Sequence, residues 1–179
     1  MLQLRPDHSA AELKIVLGRR RGRMRGTMKI NTRLFGEVEI SDDKIITFEN
    51  GIIGFPDMKK FALIHDEDVG QGAGIRYMQS LDEAGFAMPV MDPLIVKPDY
   101  DPEVDDELLA SVGNVTEDNL LVLVTVSVPS DLTKMSVNLR GPLVINVETH
   151  RACQMIVDSS DFPVKFPVYE ILQSGKAGV

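Results

Sequence analysis

The sequence predicts a mostly β domain: a small antiparallel β-barrel or two-sheet domain with one main helix near residues 103–112. Three observations carry this. Short β-type runs recur through residues 28–172, separated by Gly, Pro, Asn and Asp. There is no Trp and there are only three Tyr, so Val, Ile and Leu must build the core, and branched aliphatics fit a pleated surface. One run, Leu120–Val128, is almost unbroken in apolar residues, the pattern of a strand buried on both faces or central in a sheet. Closing such strands into a barrel removes the unpaired edges that an open sheet would present.

Taken in order, Arg33–Ile40 alternates imperfectly through Phe35, Val38 and Ile40, and Asp42-Asp43 makes a turn before a strand at Lys44–Phe48. Asn50-Gly51 is a strong turn dipeptide. Gly54-Phe55-Pro56 closes that loop, and Pro56 leads into a helical turn at Asp57–Lys60. Phe61–His65 reads as a strand and the acidic, Gly-rich Asp66–Gly74 as a loop. Ile75–Leu81, Ala87–Val90 and Leu94–Val96 are predicted strands, the last stopped by Lys97-Pro98. Asp101-Pro102 supplies an N-cap and a first-turn proline, and Glu103, Asp105, Asp106 and Glu107 favour the positive end of the helix dipole. Leu108, Leu109 and Val112 give the buried stripe, and Gly113-Asn114 ends the helix. After Leu120–Val128 come a turn or helical turn at Ser130–Thr133 and strands at Lys134–Leu139, Leu143–Glu148 and Ala152–Val157. Val168–Leu172 is a late strand or short helix, and residues 175–179 form a frayed tail.

A chain of 179 residues holds one ordinary domain. Its charge is unevenly divided. Residues 1–27 carry seven Lys/Arg against Asp7 and Glu12, a net +5, which leaves −13 on residues 28–179 of a chain whose net charge is −8. The basic stretch Gly18–Gly26 has no aromatic residue to stack on bases. Leu13–Leu17 is too short for a signal-peptide core and precedes the arginines, the reverse of the secretory order. Residues 1–27 are therefore expected to be a basic, disordered extension upstream of a natural start at Met28, with a candidate helical stretch at Ala10–Leu17. The single cysteine, Cys153, excludes an internal disulfide framework and a Cys-cluster zinc site, and reads as a small buried apolar residue. No apolar run approaches the roughly 20 residues that span a membrane. The expected setting is the reducing cytoplasm.

The residues that carry chemistry are few. Residues 28–179 contain His65 and His150, neither in triad, zinc or HxxxH spacing. The stretch Asp99–Asp105 resembles a calcium loop, but its sixth position is Val104 and its twelfth Ala110, where an EF-hand needs Gly and Glu. Gly70–Gly74 lacks the Lys-Ser/Thr of a phosphate loop, and Asp66, Glu67 and Asp68 before it would repel phosphate. No catalytic residue, metal site or cofactor is predicted.

Several segments, in order, resemble the bacterial flagellar assembly factor FliW family across nearly all of residues 28–172. Met28–Ile30 through Phe35–Val38 is similar to the family's opening strand. Ile46–Pro56 followed by Phe61 resembles its F-x-x-G-[IL]-x-G-F signature. Met78–Leu81 is similar to its L-Q-S segment, with Met78 in place of Leu, and Phe86 and Pro89 follow. Asn138–Asn146, with Gln154 downstream, resembles its N-L-x-x-P-[IL]-[VL]-[IL]-N run. The extension departs from the pattern, since the family's chains begin near the position of Met28.

The resemblance implies a β-barrel-like fold, no enzymatic activity and two partners: the RNA-binding translational regulator CsrA and flagellin. Such a protein holds CsrA off the flagellin message until newly made flagellin competes for it. The expectation is a cytoplasmic antagonist, monomeric when free, that does not bind nucleic acid or membrane; the alternative is a flagellin-directed chaperone with no role in translation. An acidic domain suits a basic partner, but exposed charges are screened beyond ~8 Å at physiological salt, so an apolar anchor is needed. Candidate anchors are Ile52, Ile53 and Phe55, although Phe55 reads equally well as a plug in the barrel end. Candidate acidic contacts are Asp66, Glu67 and Asp68, and Asp99, Asp101, Glu103, Asp105 and Asp106.

Overall fold

The computed structural model describes residues 26–64, 74–103 and 105–176. The extension 1–25 with the Ala10–Leu17 stretch, His65, the acidic residues Asp66, Glu67 and Asp68, Val104 and the last three residues lie outside the described residues.

The chain folds as a mostly β domain around a closed barrel. The strands are β1 (Thr27–Thr32), β2 (Gly36–Ser41), β3 (Ile45–Phe48), β4 (Lys60–Ile64), β5 (Ile75–Ser80), β6 (Ala87–Met91), β7 (Leu120–Ser127), β8 (Ser136–Val137), β9 (Leu143–Asn146), β10 (Arg151–Gln154) and β11 (Phe166–Pro167). Two helices are described, α1 (Asp106–Ser111) and α2 (Tyr169–Lys176). The barrel runs β3-β4-β5-β6-β7-β9-β10 and closes when β10 meets β3. That closing pair is parallel, Arg151 opposite Thr47, whereas the other barrel pairs are antiparallel. The expectation of an antiparallel barrel is corrected at this one seam. His150 makes the seam reachable: it sits at φ 58°, turning the chain from β9 into β10, and its carbonyl accepts the Thr47 N–H at 2.8 Å.

β7 organises both cores. It pairs with β9 through Leu120–Leu123, with β6 at Val124 and Thr125, and with β8 at Val126 and Ser127. Side chains alternate across a strand. Leu121 and Leu123 therefore point into the barrel with Phe48, Phe61, Met78, Leu143 and Ile145. Leu120, Val122, Val124 and Val126 point outward and are covered by Val96, Tyr100, Leu109, Leu139, Val168 and Leu172. Burial on both faces explains why the run has no polar alternation.

Four local expectations are corrected. The helix expected at 103–112 begins at Asp106, with Asp105 rather than Asp101 as N-cap; the Asp105 carboxylate accepts the Glu107 and Leu108 N–H groups. Two N-cap sequences compete here, and starting at the second still buries Leu109 while Pro102 is buried before the helix. Leu94–Val96 lies not in a strand but in a 3₁₀ turn at Pro93–Ile95, because the Asp92 side chain caps it by accepting the Leu94 N–H. Asp57 lies in a turn and Lys60 already in β4. The predicted strand at Lys134–Leu139 shrinks to Ser136–Val137.

Val168–Leu172, which the sequence allows as a strand or a short helix, leads into α2, and α2 begins at Tyr169. β1 and β2 form a separate hairpin, docked through buried Ile40 and an edge-to-face contact of Phe35 with Tyr77 at 5.3 Å.

Candidate functional site

The Asn50–Pro56 loop is a tight hairpin. Ile52 and Phe55 exchange both backbone hydrogen bonds, with Ile53-Gly54 at the corner and Gly54 at φ 88°, as a type II turn requires. Gly51 is at φ 67°, and a Cβ there would fall 2.5 Å from the Pro56 carbonyl oxygen, so the loop closes only over glycine. This geometry divides the apolar residues. Ile52 is 6% exposed and joins the barrel core, whereas Ile53 and Phe55 are 55% and 44% exposed. Phe55 leans on Phe86 with ring centroids 4.9 Å apart. It is a partly exposed wall resting on Phe86, which in turn packs against the barrel core.

That wall borders an open apolar groove of about 380 Å³. Ile156 and Val164, 70% and 51% exposed, line it as well. Beyond β10 the chain continues irregularly. Met155 and Val157 donate to the Pro142 and Arg140 carbonyls and are buried, which turns Ile156 outward between them. Asn138, Arg140, Gly141 and Gln154 supply the polar part of the lining. Gln154 joins the pieces: its Oε1 accepts the Ile53 N–H at 2.8 Å and its Nε2 donates to the Gly141 carbonyl at 3.3 Å.

α1 packs on the other side of β10. Leu108 and Ser111 meet Glu49, Asn50 and Gly51 around a small cavity of about 50 Å³. The helix C-terminus is pinned to the β9–β10 turn, where the Asn114 carbonyl accepts the Asn119 and Asn146 amides and the Thr149 hydroxyl donates to the Val112 carbonyl. Glu103, Asp105, Asp106 and Glu107 are exposed along this helix and its approach, whereas Asp101 is half-buried. Asp99 is exposed and held by Lys97 at 2.9 Å, whose hydrogen bond keeps its carboxyl below the ordinary range. The candidates therefore divide into an apolar edge at Ile53 and Phe55 and an acidic edge at Glu103–Asp106, flanking β10.

Sequence reasoning missed Phe86, Ile156 and Val164 as parts of the same surface. Phe86, Asn138, Arg140 and Gln154 were visible only as residues of family-like segments, without a role. Cys153 is half-buried, and burial pushes its thiol up to about 11. Among the described residues no group of three or more His, Cys, Asp or Glu side chains is gathered for a metal. No helix among them is long and apolar enough to cross a membrane.

The fold and surface define the class first: a small closed β-barrel domain with an apolar groove open beside an acidic helix. Residues 29–168 match the family described as FliW protein. The flagellar assembly factor FliW of Lachnospira eligens is 44% identical over 147 residues, covering 82% of this chain and 97% of that protein. The flagellar assembly factor FliW of Thermotoga neapolitana is 37% identical over 153 residues, covering 85% of this chain and all of its own length. A crystal structure of the flagellar assembly factor FliW superposes with a TM-score of 0.72 at 26% identity, covering 79% of this chain and 96% of the other. The chain belongs to the FliW family of flagellar assembly factors.

Proposed function

We propose that this protein is a non-enzymatic, cytoplasmic antagonist that binds a CsrA-type translational regulator and, alternatively, flagellin, coupling flagellin level to flagellin translation. The observation that carries this reading is the pairing of an apolar groove, open through Ile53, Phe55, Ile156 and Val164, with an exposed acidic helix on the far side of β10. Large exposed apolar side chains gathered in one place mark interaction surfaces. The acidic edge suits a basic RNA-binding regulator: complementary charge raises association rates by ~10–10³-fold, and carboxylates beside the bound regulator repel RNA phosphate. The two partners need only bind with negative coupling.

The test is titration calorimetry with purified regulator and flagellin. Asp106→Lys with Glu107→Lys weakens regulator binding most at low ionic strength; an unchanged salt slope removes the acidic edge from that interface. RNA titrations at fixed domain concentrations separate direct blocking of the RNA surface from action at a neighbouring site.

The second reading, a flagellin chaperone with no part in translation, is favoured by the apolar character of the groove. Binding of flagellin without any binding of the pure regulator at low salt decides for it.

A further inference from the structure

The groove lining contains a cation, Arg140, that meets no counter-charge among the described residues. Arg140 donates from Nη2 to the Ser159 carbonyl at 3.1 Å, its Nε is buried without a hydrogen-bond partner, and it pairs with no carboxylate among the described residues. Arg140 is half-buried, and a partly desolvated guanidinium gains from a charge-assisted hydrogen bond to an anion.

Two side-chain amides, those of Asn138 and Gln154, line the same groove. The Asn138 Oδ1 is occupied by the Arg140 and Gly141 N–H groups, which leaves its Nδ2 as the outward donor. Gly141 keeps the space in front of these groups open: a Cβ there would lie 3.0 Å from Asn138 Nδ2 and 3.2 Å from Gln154 Nε2. Guanidinium and amide N–H groups around a small niche match a carboxylate, which accepts up to four hydrogen bonds. The groove that holds these groups is also lined by Ile53, Phe55, Ile156 and Val164. Gln154 ties the niche to the Ile53 and Phe55 wall, and Arg140 ties it to the segment between Ile156 and Val164.

We propose that this groove takes a partner segment in which an Asp or Glu side chain is flanked on both sides by apolar side chains, its carboxylate seated on Arg140, Asn138 and Gln154. The inference rests on the partner-binding reading above. It deepens that reading, because acidic-apolar recognition in the groove is opposite in sign to what the acidic helix attracts. An apolar lining drawn from two chain segments selects a side-chain carboxylate over a chain terminus.

The probe is a library of random dodecamer peptides selected on the full chain. Enriched sequences are then synthesised with both ends blocked and measured by fluorescence anisotropy. Enriched peptides carry an acidic residue between apolar ones, and Glu→Gln in the peptide weakens binding about 10–100-fold, the range expected for losing a charge-assisted hydrogen bond. Arg140→Gln brings the Glu peptide down to the Gln peptide's affinity and leaves the latter unchanged, while Gly141→Ala weakens the Glu peptide selectively. A cooperative thermal transition in each variant establishes that it is folded.

Selected peptides without acidic preference, equal losses for Glu and Gln peptides, or dependence on a free C-terminal carboxylate overturn the proposal, as does failure to enrich any peptide that Ile156→Asp releases. Flagellin and the regulator are measured against the same variants. If the wild-type chain binds both proteins but shows no acidic preference, only this inference falls; if it binds neither, the functional reading falls while the peptide result stands.

Discussion

Gln154 ties together chain segments 101 residues apart, since its amide reaches Ile53 on one side and Gly141 on the other. Losing both bonds leaves the Ile53 N–H to water and frees the loop that presents Ile53 and Phe55. Gln154→Ala is expected to cost about 1–2 kcal/mol in urea unfolding, with a larger proportional loss in partner binding than in stability. Cys153 gives a pH signature. Its folded thiol titrates near 11 against an ordinary value of 9.0, raised by burial and opposed by a Ser111 hydrogen bond. Because the folded value is the higher one, this contribution is complete below pH 9 and is lost as pH rises from about 9 to 11, where the unfolded chain releases the proton first. Unfolding midpoints measured across that window fall more steeply for the wild type than for Cys153→Ala; parallel slopes would falsify the assignment. At neutral pH the same thiol reacts slowly with iodoacetamide in the folded protein. Tyr100 is a further buried donor: its hydroxyl meets the Leu139 carbonyl at 2.7 Å, and burial holds the phenol protonated far into the alkaline range.

Among the elements, legibility followed how local the determinants are. β7 could be read directly, because burial on both faces removes every polar residue but Thr125 from Leu120–Val126. The Asn50–Pro56 loop could be read from its glycines. α1 could be read as a helix but not in its start, since the choice between Asp101 and Asp105 as cap depends on what Pro102 and Leu109 pack against. α2 was ambiguous because Ser174-Gly175 breaks its pattern and its inward residue, Leu172, gains a neighbour only when the barrel wall is present. The groove was half legible. Ile53 and Phe55 advertise themselves in one loop, whereas Phe86, Ile156 and Val164 arrive from distant segments, and Ile156 looks like the interior of a strand until β10 stops at Gln154. The cap at α1 separates structure from recognition. Asp105→Ala is expected to lose about 0.5–2 kcal/mol of stability, whereas Asp105→Asn, which keeps an acceptor for the Glu107 N–H, loses little. If the two weaken regulator binding equally, the partner reads the charge; if only the alanine variant does, it reads the helix.

At the scale of the whole molecule, the barrel interior and the layer outside it are two cores that share one wall. β7 and β9 contribute to both, with Leu123 and Leu143 facing in and Val122 and Val144 facing out. The acidic helix and the groove are anchored to that wall through β10, which pairs with β9 along Arg151–Gln154. Both edges are therefore carried on one wall, and under the proposed function negative coupling between the two partners would come from overlap or electrostatics rather than from separation of the layers. The shared wall also fixes how the protein unfolds. A covering layer that packs on the outer face of β7 and β9 has no core of its own once those strands are gone. Leu123→Ala, inside the barrel, and Leu139→Ala, in the covering layer, each leave a cavity where both side chains are fully buried. Each is expected to cost about 2–5 kcal/mol. Both shift one common transition, with near- and far-ultraviolet circular dichroism coincident in urea. A Leu139→Ala chain that lost its outer layer at lower urea than the barrel would show instead that the layers are independent, and that the two edges can move apart when a partner binds.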